Sequence, residues 1–338
     1  MTRIFIDGFE HGSLDLWGTG SGAACVSTSG LNMDGSYCLE LTSMDDYLFL
    51  PISDASEIYG SFRWRPINIP ALGSEGLNLI TFYKGNNAIL GLTCNTATGV
   101  FKVLTGLYWQ DSVLANSSGG LATVNNTCQI EIYVKIADSG GRFVVKVDGV
   151  TCIDFTGDTK AGADATFDSI RFGRVPTGYG GGYGYAYIDN VVLDDAAFPG
   201  NTSIQAIRPT SAGNSTQWTP SAGSNWDCVD EVPASDADNV VTNENDQVDL
   251  YTAENLVGTI GSVVCVQVQA RVVKEGAATP QNLAFGVRTG ATDYFSPDKI
   301  IPTAEKSIVH LWDQNPNTAA AWTPAEVDGI EIGIKSRA

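Results

Sequence analysis

The sequence predicts an all-β protein of two domains. Three observations carry this: period-2 alternation recurs along the chain, glycine is abundant at 37 of 338 residues, and helix-forming repeats of Ala, Leu, Glu and Lys are missing. Hydrophobic residues make up 43% and charged residues 17%, which places the chain among globular rather than disordered proteins. A length of 338 residues is too great for one ordinary sandwich and suits two domains.

The opening MTRIFIDGFEHGS reads at once as a strand over 3–9. It has one Arg, no apolar run of signal-peptide length and no small-residue cleavage site, so synthesis without a secretion signal is expected. Further strands are legible at 37–43, 46–51, 59–67, 77–84, 88–94 and 99–105. In CQIEIYVKIA, Ile130, Ile132, Val134 and Ile136 share one face, and Glu131, Tyr133 and Lys135 the other. In GRFVVKVDGVTCIDFTGDT, Phe143, Val145 and Val147 alternate into Asp148-Gly149, the dipeptide of a tight hairpin turn. A strand at 168–174 and a closing strand in AYIDNVVLDD, with Ile188, Val191 and Leu193 turned inward, complete the first domain. Antiparallel strands spaced in this way close into a two-sheet sandwich or jelly roll.

The next stretch, AAFPGNTSIQAIRPTSAGNSTQWTPSAGSN, is rich in Pro, Gly, Ser, Thr and Asn, which favour loops. It places the boundary near 198–205, giving domains 1–198 and 199–338. QVDLYTA, SVVCVQVQARVVKEG, QNLAFGVRTG, SIVHLWDQN and DGIEIGIKSR then read as the strands of a smaller β-sandwich domain. Within the second of these, Val264, Val266 and Val268 alternate with Cys265, Gln267 and Gln269.

Composition excludes several functions. With 38 acidic residues against 19 basic ones the net charge is −19, and nucleic acid is not an expected partner because phosphate binding needs clustered Lys and Arg. No apolar run of membrane-spanning length exists, so no membrane insertion is expected. The seven cysteines (Cys25, Cys38, Cys94, Cys128, Cys152, Cys228, Cys265) are scattered without a CxxC pair, and only His11 and His310 accompany them. That spacing speaks against zinc and for small core residues.

Catalytic patterns are equally sparse. No Gly-x-Ser-x-Gly elbow is present, and GYGGGYGYAY lacks the Lys and following helix of a phosphate loop. The acidic run DCVDEVPASDAD (Asp227, Asp230, Glu231, Asp236, Asp238) lies in a Pro-containing loop without alternation, where solvated or ion-binding carboxylates are expected. Sugar binding requires exposed aromatics that stack on pyranose faces. Tyr108 and Trp109 in TGLYWQDS, and Tyr179, Tyr183 and Tyr185 in PTGYGGGYGYAYID, are the candidates for glycan or protein contact, their alternative being core packing.

The run IEIYVKIADSGGRFVVKVDGVTCIDFTGDT, then FDSIRFG, then YAYIDNVVLDD, resembles the concanavalin A-like, laminin-G-like jelly-roll superfamily over about 1–197. IDGFEHGSLDLW is similar to the first strand of carbohydrate-binding jelly rolls. The resemblance implies a calcium ion between first and last strands, with Asp7 or Glu10 near Asp189 and backbone carbonyls completing its oxygen shell. The alternative is that Asp189 and Asn190 satisfy backbone groups at a strand bulge. Laminarinase-type members of that superfamily carry a Glu-x-Asp-x-(x)-Glu strand with nucleophile and acid about 5 Å apart. Here Glu131 stands alone and IDNVVLDD has no Glu, so no enzyme is expected.

IRPTSAGNSTQWTPSAGSNWDCVDEVPASDADNVV and the terminal WTPAEVDGIEIGIKSR resemble carboxy-terminal domains of structural proteins of tailed bacteriophages. This implies a non-enzymatic virion protein displayed on the particle exterior, as capsid decoration or cement, or as a tail fibre or adhesin. Its partners would be other virion proteins and host surface glycans, and symmetric particles favour a homo-oligomer. A free bacterial carbohydrate-binding module or adhesin, and a polysaccharide-degrading enzyme on the same fold, are the alternatives.

Overall fold

The structure, a computed structural model, describes residues 3–21, 25–28, 33–42, 46–68, 76–106, 112–160, 162–173, 185–276 and 280–338. The chain divides into two compact units, Met1–Ile204 and Gln205–Ala338.

The first unit is a jelly-roll sandwich of two antiparallel sheets. In the first sheet the order is Val150–Gly157, Gly141–Val147, Cys128–Lys135, Glu57–Asn68, Tyr185–Asp194, Cys38–Leu41 and Cys25–Ser27. The opening strand Arg3–Asp7 joins this sheet by pairing with the closing strand, Tyr185–Asp194. The second sheet runs Val113–Asn116, Val100–Thr105, Asn87–Asn95, Leu77–Lys84, Phe167–Gly173, Tyr47–Ala55 and Gly18–Ser21. Alternation decides which side chains meet between the sheets. Ile130, Ile132, Val134, Phe143, Val145 and Ile188 of the first sheet are buried with Leu48, Ile80, Phe82, Leu92, Phe101, Ile170 and Phe172 of the second. Aromatic edges bridge the layers, with Phe62 5.4 Å from Phe172 and Trp64 6.2 Å from Phe101. The Asp148-Gly149 turn forms as its dipeptide requires, with φ of 50° and 80°. The opening strand ends two residues before the predicted limit, because Phe9 turns the chain with φ 60°. No disulfide links the described cysteines, and Cys38, Cys94, Cys128 and Cys228 are buried.

The unit boundary at Ile204 falls within the stretch 198–205, and residues 198–204 belong to the first unit for a physical reason. Residues 198–204 lie as a strap across the outer face of the first sheet. Phe198 packs edge-on against Tyr59 at 5.2 Å and takes the Lys146 ammonium over its ring at 3.5 Å. Ser61 Oγ donates to the Gly200 carbonyl, Gly200 N–H donates to Glu131, and Arg63 donates to Asn201 Oδ1. Ile204 N–H donates to Asn190 Oδ1, and its side chain sits where any Cβ on Gly8 would come within 2.9 Å. Loop composition marked this stretch as irregular but not as attached.

The second unit has a six-stranded sheet in the order Pro209–Thr216, Val248–Ala253, Glu331–Arg337, Asn282–Thr289, Thr292–Phe295, with Lys299–Ile300 also on Asn282–Thr289. A separate hairpin, Val266–Val272 with Lys306–Trp312, contributes to the same core of Leu283, Phe285, Val287, Trp322, Val327 and Ile330. The hairpin strand starts at Val266, which leaves Val264 exposed ahead of it. A short helix, Pro324–Asp328, was not expected. Its signal is T-P-A-E: Thr323 and Glu326 cap one another reciprocally and Pro324 opens the first turn. Asp249, buried at 0% exposure, organises the strand crossing by accepting from Gln217 N–H, Trp218 N–H, Asn225 Nδ2 and the Tyr251 hydroxyl.

Replacing Phe198 by Ala removes one edge-on aromatic contact and one cation–π contact. The first unit is expected to lose about 2 kcal/mol in urea unfolding, with the second unit's transition unmoved.

Candidate functional site

The closing strand changes partner halfway along one edge. Ala186, Tyr187 and Ile188 pair with Leu41, Glu40 and Leu39, whereas Val191, Val192 and Leu193 pair with Asp7, Ile6 and Phe5. On its other side it pairs with Glu57–Asn68, and that register shifts between Asp189 and Val192. The shift is a bulge centred on Asn190, whose φ of 49° lies in the left-handed region that Asn tolerates better than most residues.

Three carboxylates face the gap between the two partner strands. Asp189 is fully buried and accepts from Asn190 N–H at 2.7 Å and Asp34 N–H at 3.0 Å. Glu10 accepts from Ser36 N–H at 2.9 Å and Tyr37 N–H at 3.0 Å. Asp34 takes Asn190 Nδ2 at 3.2 Å and pairs with Arg63 at 3.1 Å. Burial, with the charges of Glu10 and Asp34 added, pushes the Asp189 carboxyl up to about 8 against the two N–H donors that pull it down. Burial is also the main cause that raises Glu10.

Asp7 belongs to a different network. Its oxygens accept from Phe9 N–H at 2.6 Å and Trp17 Nε1 at 2.7 Å, and His11 Nε2 lies 3.3 Å away. Burial works against a charge on His11, but Asp7 outweighs it and holds the imidazole above its usual range. On its far side His11 meets Ser13 Oγ at 3.1 Å, so Asp7 staples the turn that follows the opening strand.

The gap fits a cation in charge. Asp189 is buried and makes no ion pair among the described residues; Arg63, across the ladder from it, is paired with Asp34, and Glu10 and Asp34 lie near enough to repel it. Among the described residues no three His, Cys, Asp or Glu side chains are spaced to share an ion, so an ion held by Glu10 and Asp189 would need backbone carbonyls to complete its shell. The bulge reading is realised as well, since Asp189 and Asn190 both satisfy local N–H groups.

Of the aromatics proposed for contact, Tyr108, Trp109, Tyr179 and Tyr183 lie outside the described residues. Tyr185 opens the closing strand opposite Asn68. The structure brings forward a second group that sequence reasoning missed. With the outer face of the first sheet strapped by residues 198–204, the outer face of the second remains. Tyr47 and Phe49 flank the core residue Leu48, and Arg171 stands between the core residues Ile170 and Phe172. Strand pairing sets Arg171 opposite Phe49 on one side and Thr81 on the other. The Phe49 ring lies against Gly18, where a Cβ would come within 2.5 Å of it. Tyr83 lies beside them, its phenol pushed up to about 12 by burial and opposed by the Arg171 charge. The Thr81 and Thr93 hydroxyls on this face are buried without a hydrogen-bond partner among the described residues. The available signal is the alternation in YLFLP and SIRFG, which sets Tyr47, Phe49 and Arg171 on the face opposite the core.

No family model matches the sequence, and no curated protein matches it. Among solved structures the chain is similar to the cellulose induced protein Cip1, at 11% identity and TM-score 0.43, covering 59% of this chain and 100% of that one. It is similar to an endo-β-1,4-glucuronan lyase from the fungus Trichoderma reesei, at 15% identity and TM-score 0.42, covering 57% and 95%. A third is domain 4 of AbnA, an extracellular arabinanase from Geobacillus stearothermophilus solved with arabinotriose, at 11% identity and TM-score 0.40, covering 56% and 91%.

The Asp189 carboxyl titrates higher in the folded chain than its ordinary 3.8, so the folded state holds the extra proton. Its contribution to stability is complete below about pH 4 and is lost as pH rises towards 8. In cation-free buffer the melting midpoint of the first unit is expected to fall over that window, Glu10 adding to the slope. Asp189→Asn is expected to flatten the slope whatever its own midpoint; an unchanged slope in that variant contradicts the assignment.

Proposed function

We propose that this protein binds glycans without cleaving them, through the outer face of the second sheet of its first unit. The observation that carries this reading is the group of half-exposed Tyr47 and Phe49, with Tyr83 beneath, around the half-buried Arg171. Aromatic faces match the apolar faces of sugar rings, and spare polar groups read their hydroxyls. The opposite sheet offers no equivalent area, because the strap 198–204 already occupies it.

The second unit is proposed as the attachment domain of a virion protein of a tailed phage, displayed as a homo-oligomer on the capsid or tail. What supports this is the resemblance of its sequence to phage structural proteins. Glu10 and Asp189 are proposed as calcium ligands, supported by the buried Asp189 carboxylate, which makes no ion pair among the described residues. When bound, calcium supplies two positive charges to the gap. The chain itself positions the two carboxylates through Ser36, Tyr37, Asp34 and Asn190, and holds the partner change of the closing strand.

Affinity electrophoresis against a panel of soluble plant and bacterial polysaccharides tests the binding reading. Tyr47→Ala with Phe49→Ala is expected to abolish retention while leaving the melting midpoint within a few degrees of wild type. Retention unchanged in the double variant overturns the proposed face, and new reducing ends formed during incubation overturn its non-cleaving character. For calcium, chelator is expected to lower the midpoint of the wild-type protein, most strongly at pH 8, and to leave Asp189→Asn unmoved. Equal midpoints with and without chelator contradict the ion.

A further inference from the structure

The outer face of the second sheet carries a cation whose charge nothing in the described chain answers. The Arg171 guanidinium lies 3.9 Å from the ring centroid of Tyr83, 5.0 Å from that of Tyr47 and 5.8 Å from that of Phe49. Three rings attract and orient a guanidinium, but they do not neutralise it. Arg3, Arg63, Arg142, Arg208, Arg271, Arg288 and Arg337 each face a carboxylate. That is the ordinary outcome in a chain where 38 acidic residues outnumber 19 basic ones. Arg171 faces none among the described residues, and it is half-buried rather than fully hydrated. Arg65, on the first sheet, also has no carboxylate partner among the described residues, and no aromatic ring among them lies over it.

A second observation is independent of charge. Arg171 Nε and Thr81 Oγ1 are buried with no hydrogen-bond partner among the described residues, and the buried Tyr83 hydroxyl has only the Arg171 guanidinium to meet. Buried polar atoms are nearly always paired, and leaving them unpaired is costly. These atoms gather around one guanidinium, with no partner outside the group among the described residues.

We propose that Arg171 receives the carboxylate of an acidic sugar, so that the polymer bound by this face is a carboxylated polysaccharide. A planar guanidinium pairs with a carboxylate through two parallel hydrogen bonds, a geometry that sugar hydroxyls do not match. Tyr47 and Phe49, half-exposed beside it, supply the surface on which the same ring rests. The proposal rests on the glycan-binding reading of this face and adds the class of sugar it takes.

The test is a titration of the full chain with polygalacturonate, alginate, fully methyl-esterified polygalacturonate and dextran sulfate. The ester keeps the sugar ring and removes the charge. Wild type is expected to bind the two carboxylated polymers and to bind the ester at least about tenfold more weakly. Arg171→Gln is expected to lose on the order of tenfold to a hundredfold of the uronate affinity. Arg142→Gln, whose guanidinium is already paired with Asp154 on the first sheet, is expected to keep it. Arg171→Lys, which retains charge and stem, covers the case of a Gln variant that fails to fold. It is expected to keep the preference for free over esterified polymer at reduced affinity, and wild-type affinity in it overturns the paired geometry. Equal binding of ester and free polymer overturns the carboxylate assignment while leaving glycan binding intact. So does dextran sulfate bound ahead of every carboxylated polymer. No binding to any polymer, charged or neutral, overturns both.

Discussion

The first unit depends on one residue that leaves the pleat. The closing strand has to hydrogen-bond along one edge to two strands that are 30 residues apart in sequence, Arg3–Asp7 and Cys38–Leu41. A regular strand serves only one register, so the exchange needs an extra residue at the junction. Asn190 is that residue. It adopts the left-handed conformation, its amide nitrogen reaches Asp34, and its amide oxygen receives Ile204. A single side chain thus connects the loop that enters one partner strand, the bulge itself and the last residue of the unit. Side chains without an amide satisfy neither neighbour, and β-branched residues do not adopt that φ without strain.

Two buried aspartates show how differently a fold treats a charge. Asp249 in the second unit is enclosed by four donors from backbone, amide and phenol, which fill most of the acceptor sites of a carboxylate. Such a group is a structural hub and asks for nothing more. Asp189 in the first unit is as deeply buried with half that number of donors, and two further carboxylates stand beside it. Both residues stand at a register shift, Asp249 where its strand's pairing jumps from Ala212 to Thr216 and Asp189 where its strand's pairing jumps towards Val192. What differs is the number of donors that the surrounding chain supplies at the irregular point.

Most of the sandwich was legible because its cause is local. Ile130, Ile132 and Val134 declare a strand and its inward face within five residues, and Asp148-Gly149 declares a turn within two. IDN at 188–190 declared a special point of the closing strand for the same reason. What stayed illegible is assembled across strands. Arg171, Phe49, Thr81 and Tyr83 come together only once three strands have found their registers, and nothing in SIRFG points to YLFLP. Asp7 was grouped with Asp189 from the pairing of first and last strands. The structure turns it instead toward Trp17, ten residues on, because an indole N–H inside a core demands an acceptor. The strap was hidden by its composition, since Pro, Gly, Asn and Thr describe a flexible linker as readily as one clasped by Tyr59, Ser61, Glu131 and Asn190.

That strap also decides how the sandwich bears load. Tension applied to the chain beyond Gln205 enters the first unit at Ile204, at the Asn190 bulge, and not at the end of the closing strand. The bonds of Ile204, Asn201, Gly200 and Phe198 then lie in series ahead of Asp194, the last ladder residue, which Arg3 holds by an ion pair of 2.7 Å. A pull from Gln205 therefore meets these side contacts before it meets a strand of the ladder.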